Sequence, residues 1–255
     1  GGEPASRLIV TPVVRDAPAD AIVDRWAHAI TAVTSGVAAD RLGVAAAVPD
    51  PFDHAAGVSQ MTHKYGALYG MPIAPLVEAA LGRPVEMRWC NDAAAAVAGE
   101  AYAGAGRGRR AVLGVTLGTG LGAALIVDGA VVPAVGDAVV GDLWRTVLAD
   151  GRSADTAFAA RTLLAALDEG PSGGARFGRE LGALLAPLAR EARVDVVVVG
   201  GGGAGSFDAI ASTLGAAVGV PVARAQLGPW AALLGAVRLC FGDGSGSRRP
   251  DPAAR

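Results

Sequence analysis

Three stretches of the sequence hold residues whose types and spacing could do chemistry. Gly118, Thr119, Gly120 and Gly122 lie between two apolar runs inside Val112–Gly129. Glycines there can turn sharply and leave backbone N–H groups for an anion such as phosphate, and Thr119 adds a hydroxyl. The same glycines would equally serve a tight β-hairpin turn that needs positive φ. Val194–Gly203 is a valine run ending in Gly200, Gly201, Gly202 and Gly203, with Gly205 and Ser206 just beyond. Strand, glycine turn and helix in that order can meet phosphate or ribose with helix-terminal N–H groups. Close strand–helix packing asks for glycine too, and the order is not the dinucleotide fingerprint G-x-G-x-x-G. Finally, Asn91–Asp92 follows the apolar run Val85–Cys90 and opens an alanine-rich helix. Asn or Asp at that junction is an expected N-cap, and the carboxyl end of a strand is also where α/β proteins place their ligands.

A fourth stretch, Asp50–Gly70, is polar and aromatic without a period. It collects Asp53, His54, His63, Lys64, Tyr65 and Tyr69. It reads as a long loop or irregular insertion over a cleft, and His63 and Lys64 are candidate substrate contacts there. A plain polar loop in water would look the same. His28, on the first helix, reads as structural.

The elements that must position these residues follow from periodicity. Arg7–Val14 and Leu42–Val48 read as strands, with the helix Ala19–Ser35 between them. Ile73–Leu81 is a short helix, Val85–Cys90 a strand and Ala93–Tyr102 a helix closed by Gly104, Gly106 and Gly108. After the glycine hairpin, Ala130–Asp142 is apolar and turn-rich, and Leu143–Leu148 starts helical. Ala154–Leu167 and Arg176–Arg190 are amphipathic helices joined by the loop Glu169–Gly174. The continuous valines before Gly200 mark a parallel strand buried on both faces. The helix Phe207–Leu214, the strand Val220–Ala223 and the helix Pro229–Cys240 follow. This is a two-part α/β pattern. It predicts an N-terminal lobe over 1–91, a C-terminal lobe over 92–228, a helix 229–241 packing back on the first lobe, and a flexible tail 242–255.

The chain has 255 residues, 52% hydrophobic, with a formal net charge of -2, enough to bury one large core or two moderate ones. That balance gives no reason to expect nucleic acid or an anionic membrane as partner. Cys90 and Cys240 are far apart with no metal spacing, so no metal site and no disulfide framework is expected. No apolar stretch has spanning length and no signal peptide precedes the first strand, so the expectation is a soluble cytoplasmic protein.

Four of these stretches, in order, resemble the ROK family of sugar kinases and related repressors, which has the actin-like, ribonuclease-H-like fold. Cys90–Gly108, CNDAAAAVAGEAYAGAGRG, resembles the family's asparagine-aspartate helix opening. Leu113–Gly129, LGVTLGTGLGAALIVDG, resembles its phosphate-binding hairpin, Val196–Ser206 its late strand and adenosine-side glycine turn, and Ala45–Val58 the strand and proline turn before the sugar loop. The resemblance implies that Asp92 is the general base for a sugar hydroxyl and that Asn91 helps hold the sugar. It implies that Gly118, Thr119 and Gly120 donate to phosphate, that Gly201, Gly202 and Gly203 run along the nucleotide, and that ATP and Mg²⁺ are the cofactors. A homodimer is implied by analogy. The chain departs from the family twice. Nothing in Gly1–Val14 supplies an Asp-x-Gly-Gly-Thr-like phosphate hairpin, so that hairpin is expected to be missing. Pro133–Asp142 offers neither the glutamate nor the histidine of the family's Glu-x-Gly-His sugar motif; His63 and Lys64, or Asp137, are candidate replacements. The function implied is ATP-dependent phosphorylation of a hexose or related sugar. The alternative is a non-catalytic ROK-fold protein kept for ligand binding or scaffolding, with polyphosphate as a third, alternative donor. A repressor is not expected, since no helix-turn-helix segment precedes the domain.

Overall fold

A computed structural model describes residues 8–37, 41–62 and 64–242. The chain divides into two compact units, Gly1–Asp92 and Ala93–Arg255.

In the first unit α1 (Ala19–Thr34) precedes β1 (Leu42–Val48), and the short strands β2 (Phe52–Asp53) and β3 (Val58–Ser59) form a hairpin. A 3₁₀ turn over Gly66–Leu68, α2 (Ile73–Leu81) and β4 (Val85–Asn91) complete it. β1 and β4 pair in parallel from Leu42 opposite Val85 to Val48 opposite Asn91, so both strands end at one level. α2 stops at Gly82, whose positive φ of 64° lets its N–H reach the carbonyls of Glu78 and Ala79. α1 packs on α2. Ile22, Val23, Phe52, Met61, Leu68, Ile73 and Val77 form the core. The strand expected over Arg7–Val14 does not form across its described part, Leu8–Val14. Its β-branched residues suit a strand, but no neighbour among the described residues pairs with it, and Val10 and Val14 stand 81% and 70% exposed.

The second unit opens with α3 (Asp92–Ala103, which begins on the last residue of the first unit). It continues through β5 (Ala111–Leu117), β6 (Leu121–Val127), β7 (Ala130–Val132), β8 (Ala134–Val135) and β9 (Ala138–Val139). A 3₁₀ turn over Val140–Arg145 leads to α4 (Ala154–Ala157), α5 (Ala160–Asp168) and α6 (Pro171–Glu191). Then come β10 (Val196–Gly200), a 3₁₀ turn over Gly202–Ser206, α7 (Phe207–Val218), β11 (Val222–Arg224) and α8 (Trp230–Phe241). The sheet runs β11-β10-β5-β6-β7, with β5, β6 and β7 antiparallel and β10 and β11 parallel to β5. Strand alternation splits its side chains between two cores. Leu113, Val115, Leu117, Val197 and Val199 join Leu181, Leu185, Ile210 and Leu214 of α6 and α7. Val112, Val196 and Val198 face Val97 and Ala98 of α3.

At the amino end of the sheet the Asp195 carboxylate accepts from the N–H groups of Arg110 (2.8 Å) and Ala111 (2.9 Å), and this pins β10 in register with β5. The N–H of Ala111, opposed by desolvation and assisted by that of Arg110, holds the Asp195 carboxyl below its ordinary pKa.

Two expectations are corrected. The helix expected over Ala154–Leu167 is two helices, because Phe158 is fully buried and the N–H of Ala160 turns to the carbonyl of Gly118 at 2.8 Å. The loop expected to run to Gly174 ends early, because α6 starts at Pro171, where a fixed φ suits the first helical position. α8 rests on α3: a Cβ at Gly99 would meet the carbonyl of Ala231, and one at Gly235 that of Ala95. Of the expected tail only Gly242 lies within the described residues.

Candidate functional site

In the first unit the chemistry gathers at the carboxyl ends of β1 and β4. Asn91 is the last residue of β4 and Asp92 the first of α3; Asn91 is half-buried and Asp92 exposed. Two residues past the end of β1, the Asp50 carboxylate accepts from the Asn91 side-chain amide at 2.7 Å. His54 Nε2 stands 3.8 Å from the other Asp50 oxygen. The loop carrying Asp50 is braced. Asp53 Oδ1 accepts from the N–H groups of Ala55 (3.1 Å) and Ala56 (2.9 Å), and Phe52 packs its ring 5.0 Å from that of Trp89 on β4. Gly57, at φ 68°, lies so close to Trp89 that a Cβ would come within 2.6 Å of the indole nitrogen. Lys64 is half-buried on the segment after β3, and His63 lies outside the described residues.

In the second unit both glycine turns sit at the same end of the sheet and meet at Leu117. A Cβ at Gly201 would lie 2.7 Å from the Leu117 carbonyl, and one at Gly203 2.8 Å from the Leu117 Cβ. Gly118 follows Leu117 directly, so Gly118, Thr119 and Gly120 adjoin Gly201, Gly202 and Gly203. The hairpin donors are not equivalent, however. The N–H of Gly118 closes the turn onto the Gly120 carbonyl at 2.9 Å. Among the described residues the N–H groups of Thr119 and Gly120 donate to no protein acceptor. The Asp155 carboxylate clamps the turn by accepting from the Leu121 N–H at 3.0 Å, and the Arg161 guanidinium reaches the Thr119 carbonyl at 3.4 Å.

The glycines sort by what holds them. Gly120 faces Asp155, and Gly201 and Gly203 face Leu117, so packing accounts for all three. Gly118 and Gly202 have no positive φ, and a Cβ added at either would meet no protein atom nearer than 3.9 Å.

A cavity of ≈ 430 Å³ opens beside the Gly201 turn, lined among others by Thr116, Ala204, Gly205, Arg224 and Glu100. Glu100 is 2% exposed. Its Oε1 accepts from the N–H groups of Gln226 (2.9 Å) and Leu227 (2.8 Å) and its Oε2 from that of Ala105 (2.8 Å). It therefore ties the end of α3 to the loop that leads into α8. Sequence reading missed Asp50, Asp155, Arg161 and Glu100. Each works through a contact distant in sequence, and only a glycine neighbour of unexplained purpose, Gly120 for Asp155 and Gly104 for Glu100, signals two of them.

Fold and site together define a two-lobed α/β protein with ligand-type loops at the carboxyl ends of its parallel strands. The ROK family profile matches residues 7–142, and the chain belongs to that family. Among its relatives, a glucokinase of Thermotoga maritima is 30% identical over 108 residues, which are 42% of this chain and 33% of the glucokinase. The match thus spans about a third of that enzyme's length. The ROK hexokinase of Thermus thermophilus superposes with a TM-score of 0.69 at 25% identity, over 91% of this chain and 89% of that one. The inorganic polyphosphate/ATP-glucomannokinase of an Arthrobacter superposes with a TM-score of 0.63 at 28% identity, over 85% of this chain and 81% of that one. No helix of the described residues is long and apolar enough to cross a membrane.

Proposed function

We propose that this protein transfers the terminal phosphoryl group of ATP to a hydroxyl of a hexose or related sugar. The observation that carries the reading is the pair Gly118 and Gly202. Neither backbone conformation nor packing asks for glycine at either position, yet they flank Leu117 where two turns meet. Both positions leave room for a ligand that must approach the backbone closely. The N–H groups of Thr119 and Gly120, the Thr119 hydroxyl and the Arg161 guanidinium supply donors of the kind phosphate oxygens need. The cavity beside Gly201 takes the nucleoside.

Phosphoryl transfer asks mainly for positioning and electrostatic stabilisation. On this reading Asp92 takes the proton of the sugar hydroxyl as its oxygen attacks the γ-phosphorus, and ADP departs with the bridging oxygen. Asn91 holds a neighbouring hydroxyl. Mg²⁺, when bound, neutralises phosphate charge. Such an ion is carried chiefly by phosphates and water rather than by a protein cage. Asp142 and Arg145 take over from the family's Glu-x-Gly-His: they keep an acid and a base at the same spacing on one 3₁₀ turn, 3.8 Å apart and exposed.

The substitution of that motif also favours the rival reading, a ROK protein that binds ligands without turnover. Coupled-assay measurement of phosphoryl transfer from ATP and from polyphosphate to a panel of hexoses, beside Asp92→Asn, separates the two. Turnover abolished in Asp92→Asn supports the kinase with Asp92 as base. Sugar and nucleotide binding with no turnover on any sugar supports the rival.

A further inference from the structure

We infer that the nucleoside cavity of the second unit does not select adenine over guanine, so that GTP serves as a phosphoryl donor alongside ATP. The inference rests on the kinase reading above and on the place it gives the nucleoside. Adenine and guanine share a ring system and differ along one edge. Where adenine carries the N6 amino group, a donor, guanine carries O6, an acceptor. A site that holds the amino group with an acceptor of its own rejects guanine strongly, because acceptor then faces acceptor. A site without such an acceptor has nothing to reject it with.

The described side chains around the cavity offer no such acceptor. Of those lining it, only Glu100, Thr116 and Arg224 carry nitrogen or oxygen. Glu100 is committed: it is buried, and both its oxygens already accept main-chain N–H groups. Thr116 turns its hydroxyl away. A Cβ at Gly122 on β6 would press on that oxygen, whereas one at Gly200, which lines the cavity, would meet the Thr116 methyl group at 4.0 Å. Arg224, exposed at the end of β11, can only donate. The adenine amino group also donates, so Arg224 cannot choose adenine, while guanine O6 and N7 suit it. The main chain along the walls is occupied as well. α3, β5 and β10 use their groups in helix and ladder, and the carbonyls of Gly201 and Gly228 accept from the N–H groups of Ala204 and Ala231 at 3.1 Å each. The remaining wall side chains are alanine, valine and proline, which touch a base on its faces and do not tell one purine from the other. The transferred γ-phosphoryl group and the bond broken are the same for both donors, and GDP leaves with the bridging oxygen as ADP does.

The test titrates the full chain, with Mg²⁺ present, against the β,γ-imido analogues of ATP and GTP and against tripolyphosphate, by isothermal calorimetry. The GTP analogue is expected to bind within about threefold of the ATP analogue, or more tightly. Ala96→Leu ties that result to this cavity. Ala96 stands one helical turn before Glu100 on α3, and both line the cavity. The longer side chain should weaken both analogues by about fivefold or more and leave tripolyphosphate unchanged. An ATP analogue that binds about tenfold or more tighter than the GTP analogue overturns the inference and leaves the kinase reading standing, since an acceptor must then hold the amino group. An Ala96→Leu variant that binds tripolyphosphate and both analogues at full strength overturns it too, because the base then lies elsewhere. The wild-type comparison decides by itself if that variant does not fold. If wild type binds neither analogue, the ATP-kinase reading falls and the inference falls with it.

Discussion

Glu100→Gln should destabilise the second unit by an amount that the three hydrogen bonds of this carboxylate define. Both carboxylate oxygens accept backbone N–H groups, one from Ala105 and two from the Gln226–Leu227 turn. A glutamine has one acceptor. Kept on Gln226 and Leu227, it turns its NH₂ toward the N–H of Ala105, donor against donor. A hydrogen bond to a charged group contributes about 1.5–3 kcal/mol, and a buried N–H left unpaired costs about 1–3 kcal/mol. The two retained bonds also weaken when the charge goes. About 3 kcal/mol is the expected loss, which for a unit of this size lowers the melting temperature by about 6–12 °C. Trp230 opens α8 three residues beyond Leu227, so urea unfolding followed by tryptophan fluorescence reports on the clamp. Gly104→Ala tests the same contact from the other side, since its Cβ would press on Glu100 Oε2. In the double variant Glu100→Ala/Gly104→Ala the two losses should fall short of additivity. A Glu100→Gln melting temperature within about 2 °C of wild type would mean that the three bonds add nothing net, and the argument from buried acceptors would fail.

Gly118→Ala and Gly202→Ala should leave the melting temperature within about 2 °C of wild type yet weaken ATP binding by about tenfold or more, read by calorimetry. Gly201→Ala, with φ 78° and its Cβ 2.7 Å from the Leu117 carbonyl, should instead cost about 2 kcal/mol or more of stability. Gly57→Ala, at φ 68° against the Trp89 indole, should cost about 2 kcal/mol and shift the Trp89 emission. Asp195 has a folded pKa below its ordinary 3.8, so its contribution is fully present above that value and is lost as pH falls through the lower folded one. Acid unfolding below pH 3.8 should therefore be less steep in Asp195→Asn than in wild type. Arg152, which pairs with Asp150 and Glu180 on the surface, should cost less than about 1 kcal/mol when replaced by alanine, measured by urea unfolding.

Local periodicity made most elements legible. Leu42–Val48 and Ile73–Leu81 form over the residues their patterns mark, and the glycine hairpin lies between strands within a residue of the expected bounds. Elements failed to appear where the outcome depends on a partner. Leu8–Val14 is rich in strand-forming apolar residues, but composition does not record whether a neighbour exists to pair with it. Ala154–Leu167 carries one unbroken amphipathic stripe. The break at Phe158 comes from a hydrogen bond to Gly118, far back in the chain, that no local pattern records.

The site shows the same division in a more useful form. In a sequence every glycine of Gly118–Gly122 and Gly201–Gly203 is ambiguous between a fold reason and a ligand reason. The structure resolves them one at a time: Asp155 accounts for Gly120, Leu117 for Gly201 and Gly203, and Thr116 with Ala93 for Gly122. At those four positions the fold already explains the missing side chain, which is a gain, because what remains is specific. Gly118 and Gly202 are left without a fold reason, beside the Thr119 and Gly120 donors. A reading that spread phosphate contacts over all the glycines would expect each alanine substitution to weaken nucleotide binding alike. The sorted reading requires stability to fall at Gly201 and affinity to fall at Gly118 and Gly202, so a single set of three variants, melted and titrated side by side, distinguishes them.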